Sequence, residues 1–281
     1  MILLVGAGGM LGSEVARLLP GAVTVGRETL DLATDFTLPP GGWDWIVNCA
    51  AYTAVDRAEG EPELARRVNA DGVARLARLA QERGARLLHV STDFVFDGCA
   101  DRPYREEDPT VPLGVYGGTK RDGEAAVLAQ SDDHLVVRTA WLFGAGPCFP
   151  RTMARAWEAG KTLRVVDDQR GSPSYAPDVA AAIALLIERE APGGIYHAAG
   201  VKAVTWHDLA VRSLRAWRLP DDPRPIEIAP VATAEYPTPA PRPAYSVLDV
   251  SRMLGLGWRP RHLDDALADW ATRLRASSGP L

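Results

Sequence analysis

The chain begins with a short apolar strand that runs directly into a glycine-rich turn. Residues 2–5 are all apolar, and the segment Gly6-Ala7-Gly8-Gly9-Met10-Leu11-Gly12 follows them. Glycines placed here allow a tight turn, close approach of the backbone to a pyrophosphate and close packing of helix on strand. The next helix offers free N–H groups and its positive dipole end to the phosphates. The pattern predicts the first βα unit of a dinucleotide-binding fold, with cofactor contacts from Gly6, Gly8, Gly9, Met10, Leu11 and Gly12.

Strand-like and helix-like segments alternate after this turn. The helical periodicity is clearest where Val73, Leu76, Ala77 and Ala80 recur at i, i+3, i+4 and i+7. Apolar strands separated by helices are typical of a parallel sheet that is covered on both faces. We therefore predict an α/β fold with a Rossmann-type doubly wound parallel sheet. The further strands are predicted at 22–25, 45–48, 86–90 and 135–137, with helices at 15–19 and 116–129.

Beyond about residue 145 the alternation loosens. The segment Thr205-Trp206-His207-Asp208 has the form of a helix start, and residues 179–187 and 263–274 also have helical patterns. Residues 220–243 are crowded with prolines and should be mostly irregular. We expect an NAD(P)-binding Rossmann domain over residues 1–149. Residues 150–281 should form a smaller C-terminal substrate-binding lobe that partly returns to the main sheet.

Charge and cysteine content exclude several classes of partner. The net charge of −5 gives no basic excess for a nucleic acid or a membrane surface. The apolar runs are much shorter than the roughly 20 residues of a membrane span. The three cysteines, Cys49, Cys99 and Cys148, are too widely spaced for a zinc site and too few for a disulfide framework. We predict a cytoplasmic protein with no metal, nucleic-acid or membrane partner.

The end of the second strand bears on the choice of cofactor. An acidic residue there would bind the ribose hydroxyls of NAD, whereas Arg27 suits the 2′-phosphate of NADP. Glu28 is adjacent, and Arg27 could equally be a solvated surface residue. Asp31 and Leu32 lie where an adenine ring would rest. We predict NADPH as cofactor and leave NADH open.

A Tyr-x-x-x-Lys pair at a helix start points to proton transfer. Tyr116 and Lys120 are four residues apart and share a helix face. A cation beside a phenol favours the tyrosinate, so we expect the pKa of Tyr116 to fall from about 10 towards the working range. A tyrosine placed in this way can give a proton to a carbonyl that is being reduced.

The fourth strand ends in Ser91-Thr92-Asp93-Phe94, at the edge of the sheet that faces the ligand crevice. The hydroxyl of Thr92 could hydrogen-bond a substrate oxygen as charge develops on it, or it could cap the strand. A glycine turn, a hydroxyl at a strand end and Tyr-x-x-x-Lys occurring together predict a catalytic set of Thr92, Tyr116 and Lys120.

At this point the sequence resembles the extended short-chain dehydrogenases and, within them, the dTDP-4-dehydrorhamnose reductase family. The glycine turn and Tyr-x-x-x-Lys are shared across the superfamily, whereas the other matching segments are specific to the reductases. The matching segments span nearly the whole chain: 6–12, 48–56, 91–98, 116–120, 138–144, 168–173, and Arg242-Pro243 before Ser246.

The resemblance implies that NAD(P)H delivers hydride to C4 of a 4-keto-6-deoxy sugar carried on dTDP. Tyr116 would be the general acid, Lys120 its modulator and ribose ligand, and Thr92 the group that polarises the carbonyl. Asp93, Phe94 and Trp141 would lie near the sugar, although Trp141 could instead be a core residue. The remaining implied contacts are Ala50, Ala51 and Tyr52 at the nicotinamide and Arg242 at the nucleotide phosphates.

Three positions depart from the family pattern. Phe94 replaces a tyrosine and so removes a hydroxyl from the sugar pocket, and Cys148 stands where asparagine is common. Pro177-Asp178 replaces a glutamate that some members use in a magnesium-bridged dimer. Glu14 alone cannot make that site, so no metal is expected. The first two departures concern the identity of the sugar more than the reaction.

Two other functions are consistent with the same residues. One is a C4-ketoreductase that acts on another nucleotide deoxysugar. The other is a non-catalytic regulatory subunit like that of methionine adenosyltransferase, of which residues 103–108 are reminiscent. The intact Thr92, Tyr116 and Lys120 favour an enzyme. A homodimer is compatible with the reductase function and with both alternatives.

Overall fold

The computed structural model describes residues 1–278. It contains twelve strands within this range. They are β1 Ile2–Val5, β2 Val23–Val25, β3 Trp45–Asn48, β4 Arg86–Thr92, β5 Leu135–Thr139, β6 Leu142–Phe143, β7 Leu163–Val166, β8 Arg170–Gly171, β9 Ser174–Tyr175, β10 Gly194–His197, β11 Val204–Thr205 and β12 Ile228–Val231.

The helices of the described range lie mostly between these strands. They are α1 Met10–Leu18, α2 Val55–Ala58, α3 Pro62–Arg66, α4 Gly72–Glu82, α5 Val115–Gln130, α6 Phe149–Glu158, α7 Ala176–Glu188, α8 Trp206–Trp217, α9 Ser251–Gly255 and α10 Leu263–Ser278. A π-helical turn at Arg67–Asp71 joins α3 to α4, and short 3-10 turns lie at Asp93–Val95 and Thr233–Glu235. Within residues 1–278, no helix has the length and apolar character that crossing a membrane requires.

The main sheet has six strands in the order β10-β5-β4-β3-β1-β2. All of its pairs are parallel. The chain adds β2 on one side of β1 and then β3 on the other, so the strand order reverses at this point. Ligands of open α/β sheets bind in the crevice that such a reversal opens beyond the carboxyl ends of the strands. The predicted doubly wound α/β fold is confirmed.

Apolar residues cover both faces of this sheet. Because side chains alternate along a strand, Leu4 and Val47 belong to one core cluster, whereas Leu3 and Ile46 belong to another. The helices α1 and α7 pack together over the first cluster, and α4 contributes to the second. Burial on both faces explains why these strands are apolar runs rather than alternating ones.

The later part of the chain both extends the main sheet and builds its own core. Strand β10 pairs with β5, so residues beyond 150 complete the sheet. A third cluster of buried residues lies among α6, α8 and α10, around Trp217, Leu267 and Trp270. Between Pro220 and Pro243, where we expected mostly irregular structure, the exceptions are β12 and the 3-10 turn Thr233–Glu235. Strand β12 forms because β7 pairs with it, a tertiary partner that the local sequence does not reveal.

A buried ion pair fixes helix α5 to the middle of the sheet. Arg138 on β5 donates from Nε to Glu124 Oε1 at 3.0 Å and from Nη2 to Glu124 Oε2 at 2.7 Å. Both side chains are buried. The remaining nitrogen, Nη1, lies 3.4 Å from the Glu106 carbonyl oxygen and 3.4 Å from His197 Nε2. The pair therefore ties α5 to β5, and Nη1 of Arg138 extends the contact to His197 on β10.

Candidate active site

The glycine turn is pressed against the end of β3. Gly6 has a φ of +81°, and a Cβ there would lie 2.6 Å from the Ala50 nitrogen. A Cβ on Gly12 would lie 2.1 Å from the Gly6 carbonyl oxygen, so α1 packs on the turn itself. Gly8 faces open space. Among the described residues, no side chain caps α1 and its first turn carries no acidic group. A free, positive helix end in a glycine cradle fits a bound pyrophosphate.

The residues at the end of β2 lie at the edge of this crevice. Arg27 is 75% exposed, and its Nε donates to Asp31 Oδ2 at 3.0 Å. The Ala33 N–H donates to the same carboxylate and, together with Arg27, lowers the pKa of Asp31. Leu32 is buried in the core. Asp31 therefore binds the Nε side of the Arg27 guanidinium, and the rest of the group is open to solvent. The contact of Arg27 with a 2′-phosphate stays a prediction.

The segment after β3 is held by two buried asparagines. The Ala50 N–H donates to Asn48 Oδ1 at 3.0 Å. Asn69 accepts from the Tyr52 N–H at 2.9 Å and donates to the Tyr52 carbonyl at 3.1 Å. The Tyr52 hydroxyl donates to Glu61 Oε2 at 2.7 Å, which raises the pKa of Tyr52. Ala50 therefore lies against Gly6, with Ala51 and Tyr52 next in the chain, and the contact of the three residues with nicotinamide that the resemblance implies stays a prediction.

Thr92 and Asp93 form a buried polar group at the end of β4. The Thr92 hydroxyl accepts from the Phe94 N–H at 3.2 Å and donates to Asp93 Oδ1 at 3.1 Å, so Thr92 also caps the following 3-10 turn. Burial raises the pKa of Asp93 to about 6, against the opposing effect of the Ser246 and Thr92 hydroxyls.

Three more hydroxyls are buried, two of them on β4 and β5 and the third directly after β8. Those of Ser91, Thr139 and Ser172 have no hydrogen-bond partner within the described part of the chain. Thr139 on β5 lies directly opposite Thr92 in the sheet register. Unpaired buried hydroxyls are uncommon in native proteins, so each calls for an explanation. Thr139 and Thr92 thus place two hydroxyls side by side at this edge of the sheet, which suits a polar ligand.

Helix α5 brings Tyr116 to Thr92. The Val115 N–H at the helix start donates to Glu59 Oε1 at 2.8 Å. Gly117 packs so closely on the Phe94 backbone that a Cβ would lie 2.1 Å from its carbonyl oxygen. The Tyr116 and Phe94 rings meet edge to face, with centroids 5.7 Å apart. The Thr92 hydroxyl lies close enough to the Tyr116 phenol to lower the pKa of Tyr116. The structure thus assembles the expected pair of hydroxyls at the crevice.

The expected fall in the pKa of Tyr116 is wrong. Although part of this side chain faces solvent, burial of the phenol raises its pKa to about 12, and the nearby Asp93 carboxylate adds to the rise. The nearby Thr92 hydroxyl lowers the pKa of Tyr116 without cancelling this rise. Lys120 does not offset the burial, and its Nζ is engaged with groups of β4. It donates to the Val90 carbonyl at 2.7 Å and lies 3.0 Å from His89 Nε2.

The structure identifies polar residues that the sequence analysis missed. Asn48, Asn69 and His89 are fully buried beside the catalytic set. A signal was available for His89, which interrupts the apolar run 87–90, and for Asn48, which directly follows the apolar run 45–47. Polar residues inside buried strands are rare unless they are hydrogen-bonded, so each was a candidate for a specific role.

Trp141 lies between β5 and β6 in a backbone conformation that bulky residues rarely adopt, with a φ of +43°. Its ring stacks on that of Trp206, with centroids 3.5 Å apart. Gly171 approaches the indole so closely that a Cβ there would lie 2.2 Å from Cε2. Trp141 packs against both the main core and the core of the later part of the chain. One face of the indole is therefore covered by protein.

This packing predicts how Trp141→Ala behaves. We expect a loss of about 3 kcal/mol in unfolding free energy, the lower end for truncation of a buried aromatic residue. A double-mutant cycle with Trp206→Ala should give a coupling of about 1 kcal/mol because the two rings stack. Chemical denaturation of the four proteins measures both quantities. An unchanged stability with a lower kcat/KM would instead place the indole against the substrate.

Arg242 reaches across the crevice from the last part of the chain. Its Nη2 donates to Asp56 Oδ1 at 2.8 Å and its Nη1 to the Ala240 carbonyl at 3.0 Å. The guanidinium carbon lies 5.8 Å from the centroid of the Phe94 ring. The structure therefore brings Arg242 to the Phe94 and Tyr116 wall. A phosphate at Arg242, which remains a prediction, would share the guanidinium with Asp56.

The other positions that depart from the family pattern are occupied by local contacts. Glu14 accepts from Arg17 and Arg273, and Asp178 pairs with Arg261. The Cys148 thiol lies 3.6 Å from the Gly144 carbonyl oxygen, near the start of α6. In residues 1–278 no group of three or more His, Cys, Asp or Glu side chains is placed to hold a metal ion.

Comparison with known proteins gives concordant results over nearly the whole chain. Residues 1–276 match the family described as the RmlD substrate binding domain. A dTDP-4-dehydrorhamnose reductase of Streptomyces griseus is 44% identical over 95% of this chain and 91% of its own length. A probable dTDP-4,6-dihydroxy-2-methyloxan-3-one 4-ketoreductase of Streptomyces antibioticus is 41% identical over 97% of this chain and 92% of its own length.

A solved structure extends the comparison to the fold. The crystal structure of dTDP-4-dehydrorhamnose reductase from Bacillus anthracis in complex with NADP has a TM-score of 0.88 at 29% identity. The alignment covers 97% of this chain and 98% of that chain. The two chains therefore share one fold over nearly their whole length.

Proposed function

Because this chain belongs to the RmlD substrate binding domain family, we propose that it reduces the C4 ketone of a dTDP-4-keto-6-deoxy sugar with NADPH. The substrate we favour is dTDP-4-dehydrorhamnose, which would give dTDP-L-rhamnose. The observation that carries the proposal is the approach of Tyr116 to Thr92 at the same edge of the sheet as the glycine turn. The names of the Streptomyces griseus and Bacillus anthracis relatives support it.

The residues of the chain would handle the proton of this reaction. The hydride comes from the dihydronicotinamide ring of the bound cofactor. Tyr116 holds its proton at neutral pH because its pKa is raised to about 12. The phenol therefore gives up the proton only when negative charge develops on the C4 oxygen, which then becomes a hydroxyl. Thr92 would turn its hydroxyl from Asp93 to the same oxygen and stabilise it.

The cofactor and the sugar nucleotide would occupy the two parts of the crevice. The diphosphate of the cofactor would lie on the free N-terminus of α1, and its nicotinamide would reach Ala50, Ala51 and Tyr52. Residues 1–149 would supply this binding domain, and residues 150–281 would supply most of the substrate lobe. The three cysteines are free thiols, which suits a reducing cytoplasm, where we place the enzyme.

The preference for NADPH can be tested at Arg27. We expect Arg27→Ala to weaken NADPH binding by about 1.5–3 kcal/mol, the size of one charge-assisted contact, and to leave NADH binding nearly unchanged. Fluorescence titration with each cofactor measures the two affinities. The matched control is Arg17→Ala, which removes another exposed arginine of the first βα unit. Equal losses for both cofactors would show that Arg27 makes no contact with the 2′-phosphate.

Assays with a panel of dTDP-4-keto sugars and NADPH test the reaction itself. We expect turnover, with dTDP-4-dehydrorhamnose as the preferred substrate and product stereochemistry read by NMR. The Streptomyces antibioticus relative supports a second candidate, C4 reduction of another deoxysugar nucleotide, which would appear as preference for a different member of the panel. Tight binding to a methionine adenosyltransferase catalytic subunit without any turnover would contradict both.

A further inference from the structure

The amine of Lys120 lies in a buried polar chain that also includes Asn48 and His89. All three side chains are almost completely buried. Asn48 Nδ2 lies 3.0 Å from His89 Nδ1, and His89 Nε2 lies 3.0 Å from Lys120 Nζ. The chain therefore runs from the end of β3, through the middle of β4, to α5. It connects the wall of the cofactor crevice to the helix that carries Tyr116.

The direction of each hydrogen bond follows from its backbone ends. The Ala50 N–H can only donate, so the Asn48 atom that faces it at 3.0 Å is the oxygen. The Asn48 amide nitrogen consequently faces His89 Nδ1 and donates to it. A neutral imidazole whose Nδ1 accepts must carry its proton on Nε2. Burial and the nearby Lys120 lower the pKa of His89 well below its usual value, so the ring is neutral.

The last member of the chain must accept a hydrogen bond. The His89 Nε2–H points at Lys120 Nζ, and only a neutral amine has the lone pair to receive it. An N–H of the same amine donates to the Val90 carbonyl at 2.7 Å. If Lys120 is protonated, it can only donate to His89 Nε2, so the imidazole proton lies on Nδ1. This Nδ1–H then faces the amide nitrogen of Asn48 or, if the Asn48 amide is turned over, that nitrogen faces the Ala50 N–H. In both cases two hydrogen-bond donors face each other. Charge on Lys120 is thus opposed by hydrogen-bond direction as well as by burial.

We propose that Asn48 and His89 are positioning residues whose one-directional hydrogen-bond chain favours the neutral amine of Lys120 and sets the pH at which it loses its charge. The other titratable groups around Lys120 are Glu124 on α5 and Cys49 after β3, and both favour the ammonium form. They do not reverse the balance, since the pKa of Lys120 is lowered to about 8. The proposal concerns the ionisation of Lys120, and only its kinetic test rests on the proposed reductase function.

The tautomer of His89 is the direct test and needs no mutation to read. In the wild-type protein with ¹⁵N-labelled histidine, we expect long-range NMR correlations to show Nδ1 unprotonated and Nε2 protonated at pH 9. A proton on Nδ1 would overturn the proposal, since Asn48 could then not donate to it. His89→Gln identifies the signal.

Asn48→Asp reverses the direction of the chain. A carboxylate at this position accepts from both the Ala50 N–H and His89 Nδ1–H, so His89 Nε2 becomes an acceptor for an ammonium group. We expect the tautomer to switch and the Lys120 ionisation, followed by the ¹³Cε shift, to rise by about one pH unit or more. The control is Asn69→Asp, which adds a carboxylate to the same crevice without a contact to His89. An unchanged Lys120 titration in Asn48→Asp, or a tautomer switch in Asn69→Asp, would refute the chain.

The pH profile of kcat/KM links the chain to the proposed reaction. If the ammonium form stabilises the tyrosinate of Tyr116, activity falls as Lys120 loses its proton, and Asn48→Asp moves that alkaline limb upward with the NMR titration. If the NMR titration of Lys120 moves in Asn48→Asp while the alkaline limb of the kcat/KM profile stays in place, the hydrogen-bond chain is supported and the proposed role of Lys120 in catalysis is wrong. A failure of the chain and a failure of the proposed function therefore give different results.

Discussion

Glu124→Gln should lower the unfolding free energy by about 3–5 kcal/mol, the cost of leaving one member of a buried ion pair alone. The substitution keeps the shape of the side chain, removes its charge and replaces one of the two oxygens that accept from Arg138 with an NH2 donor. Arg138 then stays buried and positively charged, because a guanidinium does not lose its proton in a protein. Urea denaturation followed by circular dichroism measures the change as a shift in midpoint at constant m-value.

The control for this prediction removes both charges together. Arg138→Met combined with Glu124→Leu leaves no unpaired ion and should recover most of the stability. Lys120 lies one helical turn before Glu124, so the single variant should also disturb the catalytic helix. A loss below about 1 kcal/mol in Glu124→Gln would mean that water or a neighbouring group satisfies the guanidinium.

Tyr116→Phe should reduce kcat by at least about 10²-fold, the usual contribution of a general acid. The ring keeps its edge-to-face contact with Phe94, and only the proton donor is lost. Steady-state rates with NADPH and dTDP-4-dehydrorhamnose give the effect, and cofactor titration should show an almost unchanged affinity.

Tyr104→Phe is the matched control for the loss of a phenol. The Tyr104 hydroxyl donates to Asp97 at 2.6 Å, and its ring stacks on Phe96 rather than on the residues of the catalytic set. We expect its kcat to stay within about threefold of wild type, the scale of a minor packing change. Near wild-type turnover in Tyr116→Phe would show that another group gives the proton to the C4 oxygen.

The parts of the fold that local pattern determines could be predicted from the sequence. The strand, glycine turn and helix at residues 2–18 are specified by neighbours in the chain, and β3 begins and ends at the expected residues. The meeting of Thr92 and Tyr116 was also predictable, because strand ends of a parallel sheet share one edge and helix α5 starts beside it.

The direction of the Lys120 side chain could not be predicted in this way. Spacing places Tyr116 and Lys120 on one helix face, but His89 and the Val90 carbonyl decide where the amine points. Those partners come from another element, and their effect depends on burial that the sequence alone does not give. The same applies to β12, which needs the distant β7 as a partner.

The late arrival of β10 has a consequence for synthesis of the chain. All five residues of β5 are buried in the finished protein, and the outer edge of this strand is covered by β10, whose first residue is Gly194. A ribosome-bound chain that has emerged only to residue 150 would present an apolar strand with unpaired N–H and C=O groups, which is a template for pairing with other chains. The edge of β5 is therefore covered only late in synthesis, and we expect a fragment that ends before β10 to aggregate more readily than the whole chain.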